Sequence, residues 1–108
     1  MPTLRFHAVP TERLLPVSKS LLQELMLIYQ VPADYFNIEV IKSDFIVEGE
    51  VKEGFPLVEV CAFKRPDEIQ DAVARTIYLH LCQAGFQDSE VYFTYPDPRS
   101  YYGNGEHY

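Results

Sequence analysis

Basic residues are scarce in this sequence: nine Lys and Arg stand against sixteen Asp and Glu, a formal net charge of -7. A chain of that sign is repelled by a phosphate backbone, so nucleic acid is not an expected partner. Cysteine is scarcer still, with only Cys61 and Cys82, far apart and each in an apolar segment. They read as small buried hydrophobes in a reducing compartment, not as a disulfide framework. No apolar run approaches the roughly 18 to 20 residues that span a bilayer, and no charged start leads into an apolar signal core. No membrane partner is expected, and the cytoplasm is the expected compartment. His7, His80 and His107 lack the spacing of a metal set, and Glu106-His107 reads as an exposed or tail-packing pair. A phosphate-binding glycine loop is missing, and so is a nucleophile elbow around Ser18, Ser20 or Ser43. Neither metal nor cofactor is expected.

What is present is an ordinary globular composition, 47% hydrophobic and 23% charged over 108 residues, which fits one domain spanning 1–108 around one core. Thr3 to Ala8 alternate polar Thr3, Arg5 and His7 with apolar Leu4, Phe6 and Ala8, the period of a half-buried strand. Leu4 and Phe6 form the face expected to meet helices. From Thr11 to Tyr29, Leu14, Val17, Leu21, Leu25 and Ile28 recur at helical spacing, with Pro16 predicting a kink or a separate first turn. Val31-Pro32-Ala33-Asp34 ends that helix.

Phe36 to Val47 is rich in β-branched and aromatic residues and predicts a strand; Glu48 to Gly54 predicts a charged turn, and Phe55 to Phe63 a further strand. Pro66, Asp67 and Glu68 suit the start of a second helix and Gly85 its stop, with Ile69, Val73, Thr76, Ile77, His80, Leu81 and Ala84 as the buried stripe. Val91 to Tyr95 predicts a last short strand, before a tail that reads as loop or a small hairpin.

The order is βαββαβ, an α+β chain of two βαβ-like halves without close sequence repeat. A four-stranded sheet with two helices on one face follows. Pattern alone leaves two such architectures open, a ferredoxin-like sandwich and the tautomerase arrangement.

Met1-Pro2 leading straight into a strand favours the second. Initiator methionine is normally trimmed before proline, which would leave Pro2 as a free secondary amine. The arrangement resembles the tautomerase superfamily, which includes 4-oxalocrotonate tautomerase and macrophage migration inhibitory factor and uses an amino-terminal proline as catalytic base. Val91-Tyr92-Phe93-Thr94-Tyr95 with Asp97, then Tyr102-Gly103-Asn104, is similar to the last strand and tail of macrophage migration inhibitory factor. Pro32-Ala33-Asp34-Tyr35 is similar to that family's link from helix to strand. Tyr101 to His107 is similar to the tail of one bacterial branch of the superfamily.

The resemblance implies a homotrimer in which Pro2 moves a proton between carbon and oxygen of a small keto acid or enol. The family's pocket wall falls at Lys64 and Arg65, candidates for the cation that lowers the Pro2 pKa and for a carboxylate clamp; a solvated strand end is the alternative. Tyr92 matches a tyrosine supplied by a neighbouring subunit, with a core tyrosine as the alternative, while Tyr35 and Tyr102 would shape an apolar wall. Arg5, with Glu39 and Glu59 on adjacent strands, would form ion pairs on a face that subunits pack around a three-fold axis, and Ile41, Cys61 and Phe63 would be covered there. Two departures stand out: Val31 replaces the family's lysine at the helix end, and Thr94 its asparagine beyond the tyrosine. The missing lysine favours the rival reading, a non-catalytic oligomeric or ligand-binding protein on the same scaffold. A ferredoxin-like dimeric binding module comes third.

Overall fold

The computed structural model describes residues 2–108. Strand β1 (Thr3–His7) buries Leu4 and Phe6 completely and leaves Thr3, Arg5 and His7 half-buried, as its alternation requires. It pairs in parallel with β2 (Asn37–Ile41) and antiparallel with β5 (Leu57–Cys61), which in turn pairs in parallel with β6 (Glu90–Thr94). The sheet order is β2-β1-β5-β6. Each parallel pair is joined by its own helix, α1 (Thr11–Tyr29) or α2 (Asp67–Gln83). Both βαβ units therefore stay whole, with no strand inserted between their members. That overturns the ferredoxin-like alternative, whose βαβ units are split.

One apolar core joins the sheet to both helices: Leu4, Phe6, Val58 and Val60 meet Leu14, Val17, Leu21 and Leu25 of α1 and Val73, Ile77 and Leu81 of α2. Burying one such side chain contributes about 1.5–3 kcal/mol. His80, on the α2 stripe, is buried but satisfied, with Thr76 O at 2.7 Å from Nδ1 and Ser20 Oγ at 3.2 Å from Nε2.

Pro16 does not divide α1, which runs through it unbroken. The proline sits on the exposed side and removes only the bond to the Glu12 carbonyl, while Leu14 and Val17 anchor the turns around it in the core. The strand predicted over Phe36–Val47 is two strands. After β2, Lys42-Ser43-Asp44 leave the sheet, and β3 (Phe45–Val47) pairs with β4 (Glu50–Lys52) as a separate hairpin. Glu48 and Gly49 turn it with φ of 50° and 79°, the doubly left-handed turn that two-residue hairpins favour. Residue composition marks extended backbone but not its partner, so a charged turn was expected where β4 lies. Both cysteines also depart from expectation: Cys61 is half-buried on the sheet face away from the helices, and Cys82 is exposed on α2. The tail does form a small hairpin, β7 (Tyr102–Gly103) with β8 (Glu106–His107). No helix among the described residues is long and apolar enough to cross a membrane.

Candidate functional site

The start of β1, the end of β5 and the link from α1 to β2 meet at one end of the sheet. There Pro2 is buried, and its carbonyl accepts the N–H of Asn37 at 3.0 Å, tying the chain's start to β2. Ala62, at the end of β5, is held by its N–H donating to the Thr94 carbonyl at 3.1 Å. The link itself is a 3-10 turn over Ala33–Tyr35, closed by Phe36 N–H donating to the Ala33 carbonyl. These pieces enclose a cleft of about 530 Å³. Tyr29, Val31, Ala62 and Phe63 give it apolar walls, Tyr35 and Tyr108 add two exposed rings, and its charges are Arg65 and Asp34.

Arg65 is positioned by α1, which it caps. Its Nη1 donates to the Tyr29 carbonyl at 3.3 Å, and the guanidinium lies 5.3 Å from the centre of the Tyr29 ring. Burial pushes the Tyr29 phenol up to about 12, against the easing effect of the Arg65 cation. The phenol is thus neutral at any ordinary pH. Tyr108 reaches the cleft because the tail folds back: its N–H donates to the carbonyls of Pro98 and Tyr101, and its ring packs against Phe63 and Tyr101 at 5.5 and 5.3 Å.

Of the residues singled out in the sequence, the structure brings Pro2, Arg65 and Tyr35 together in this cleft. It does not bring Lys64, Tyr92 or Tyr102 there within one chain. Lys64 is exposed, with Nζ 5.7 Å from the Tyr95 ring centre, and Tyr102 Oη accepts from Arg99 Nη1 at 2.6 Å on the tail hairpin. Tyr92 lies in register with Glu59, on the open face of the sheet, and is 43% exposed. Sequence reasoning did not assign Asp34, Tyr29 or Tyr108 to the site. Asp34 stood in the very segment that carried the resemblance, whereas Tyr29 reads as core and Tyr108 as tail.

The open face carries the charges expected of it. Arg5 lies between two carboxylates, with Nη1 3.4 Å from Glu59 and Nε 3.7 Å from Glu39. The Thr94 hydroxyl also donates to Glu59 at 3.0 Å. Desolvation works against the guanidinium, but Glu59 and Glu39 outweigh it and raise its pKa above the ordinary value. Ile41, Cys61 and Phe63 border these charges, all half-buried.

The sequence model of one family, described as a domain of unknown function (DUF1904), matches residues 1–107, and the chain belongs to that family. No curated protein matches. A DUF1904 crystal structure from Sebaldella termitidis is similar over 100% of both chains, with 26% identity and a TM-score of 0.92. A fused 4-OT, solved as an asymmetric trimer, shares 18% identity and a TM-score of 0.74, covering 97% of this chain and 94% of its own. The macrophage migration inhibitory factor-like protein of Entamoeba histolytica shares 12% identity and a TM-score of 0.70, covering 99% of this chain and 98% of its own. The fold is therefore the tautomerase fold, as the resemblance in the sequence implied.

Proposed function

We propose that this member of the DUF1904 family is a cytoplasmic, homotrimeric tautomerase-like isomerase in which Pro2, freed as an amino-terminal amine, is the general base. The observation that carries the reading is the burial of Pro2 in a cleft that also holds the Arg65 guanidinium. Met1, whose removal the chemistry requires, lies outside the described residues. Burial disfavours the ammonium form of Pro2, and the Arg65 cation disfavours it further, so both favour an unprotonated amine near neutral pH. Asp34 acts in the opposite direction.

Arg65 seats the carboxylate of a small keto acid or enol, and Tyr35 walls its apolar part. The Pro2 nitrogen takes a proton from the carbon beside the substrate carbonyl, the electron pair moves to oxygen as an enolate, and the proton returns to that oxygen; the reverse path is the same chemistry. Tyr92 of a neighbouring subunit donates to the enolate oxygen, and Tyr102 of the assembled trimer closes the wall. The shared fold with the fused 4-OT trimer supports this assembly, and so does an open sheet face whose ion pairs are only part-buried in one chain.

A second reading is favoured by Val31, which lines the cleft where the resemblance to macrophage migration inhibitory factor would place a lysine: a ligand-binding scaffold without turnover. Pro2→Ala separates the two. In untagged protein confirmed by intact mass to lack Met1, the variant should keep its assembly and lose two to four orders of magnitude of turnover on a small enol, the range expected when a poorer base replaces a positioned one. Retained Met1, or no turnover in either protein, would leave the scaffold reading in place, whereas full activity in Pro2→Ala would remove Pro2 as the base.

A further inference from the structure

The two βαβ halves repeat details that their sequences conceal. Each begins with a buried proline whose carbonyl accepts the first N–H of its parallel strand at 3.0 Å, Pro2 from Asn37 and Pro56 from Glu90. Each helix is entered through an extended proline, Pro10 or Pro66, whose carbonyl accepts the N–H groups three and four residues on. Each helix also ends under an arginine from the other half. Arg65 holds the Tyr29 carbonyl and covers its ring at the end of α1. Arg13 holds the Ala84 carbonyl with Nε at 3.2 Å and Nη2 at 2.8 Å, and lies 4.0 Å from the centre of the Phe86 ring at the end of α2. Gly85 preserves that seat, because its φ is +98° and a Cβ there would collide with Arg13 Nη2. The end of the sheet opposite Pro2 is thus built on the same frame as the Pro2 end.

It also holds a cleft of nearly the same size, about 550 Å³. Val9, Val40, Phe45 and Phe86 give apolar walls, and the charged lining is Arg13, Lys42 and Lys52 against Glu12 and Glu53. Lys52 is engaged by Glu50 at 3.1 Å. Arg13 Nη1 and Lys42 Nζ have no carboxylate or carbonyl partner among the described residues.

We propose that this far cleft is a second binding site, which takes a small carboxylate with an apolar body at Arg13 and Lys42 and does not convert it. The ligand class rests in part on the reading of Arg65 as a carboxylate seat, whose counterpart Arg13 is. The far cleft has no counterpart of a freed Pro2 amine: Pro56, the equivalent proline, does not line it, and its nitrogen is acylated by Phe55, with the lone pair delocalised into the peptide bond. The two ends share a frame, and only the Pro2 end has an amine that processing can free.

Benzoate is a suitable probe, since it has the carboxylate and the apolar body but no enolisable carbon. Titrated into isotope-labelled protein, it should move two sets of amide resonances, one around Val31 and Phe63 and one around Val9, Ser43 and Phe86. Lys42→Glu, a change at an exposed position, should weaken the second set by about tenfold or more through reversal of one charge at close range and leave the first unmoved. Arg13→Lys keeps a charge but loses the planar fork, and should weaken the second set less. Arg65→Ala should abolish the first set only. A titration that leaves Val9, Ser43 and Phe86 unmoved, or a second set indifferent to Lys42→Glu, overturns the far site. A second set that persists while the first is absent in wild-type protein upholds the far site and removes the carboxylate seat at Arg65.

Discussion

The two faces of the four-stranded sheet are made from alternate residues of the same strands and have opposite fates. On one, Leu4, Phe6, Val58 and Val60 disappear beneath two helices. On the other, Arg5, Glu39, Glu59 and Thr94 are only part-buried and bond to one another across three strands and a fourth, leaving Ile41 and Cys61 beside them. The first face is complete within a single chain. The second satisfies its charges but leaves its apolar surface uncovered, which is what an interface between subunits requires.

The contrast can be broken most forcefully on the covered side. Phe6→Ala removes the largest fully buried side chain and should cost about 3–5 kcal/mol in denaturant unfolding; a loss under about 1 kcal/mol would mean that the two faces are not so different. A smaller effect appears at the edge of the core, where Tyr29 is buried. The folded chain holds the phenol proton until about pH 12, whereas an unfolded tyrosine releases it near about pH 10. The stabilisation is therefore full below pH 10 and lost as pH rises towards 12, about 2–3 kcal/mol in all. Tyr29→Phe should abolish that part of the alkaline decline, seen as a difference in stability between wild type and variant across this window. The smallest effect on the chain itself belongs to the open face. Arg5→Glu gathers three carboxylates on part-exposed positions and should cost the isolated chain only about 1 kcal/mol. Its consequence lies in assembly, where light scattering should report monomers in place of trimers. A variant that still formed trimers would show that this face is not the contact.

Where the sequence was legible, one period decided the matter. The alternation in β1, the three-and-four spacing of Leu14, Val17, Leu21 and Leu25, and the four-residue spacing of Val73, Ile77 and Leu81 marked strand, helices and core face. Features set by pairing at a distance were not legible. Phe45–Val47 reads as a continuation of β2 because both are rich in β-formers, and the short Lys42-Ser43-Asp44 break does not announce that the Glu48-Gly49 turn pairs β3 with β4 instead. The site shows the same division. Pro2 and Arg65 were readable only through the resemblance to the tautomerase superfamily, while Lys64 and Arg65, adjacent in the chain, diverge so that only Arg65 lines the cleft. Tyr108 enters through a tail hairpin and three mutually packed rings, an arrangement that no spacing announces.

The central claim concerns the charge on Pro2, since the cleft places Arg65 and Asp34 in opposition around it. A nitrogen-15 NMR titration of the Pro2 amine, in protein freed of Met1, measures the outcome directly. Burial and Arg65 should hold its pKa clearly below the value of about 8 expected for a terminal amine, leaving a neutral base at physiological pH. A pKa at or above 8 would mean that Asp34 prevails, that Pro2 stands as an ammonium, and that it is not the base of a tautomerase.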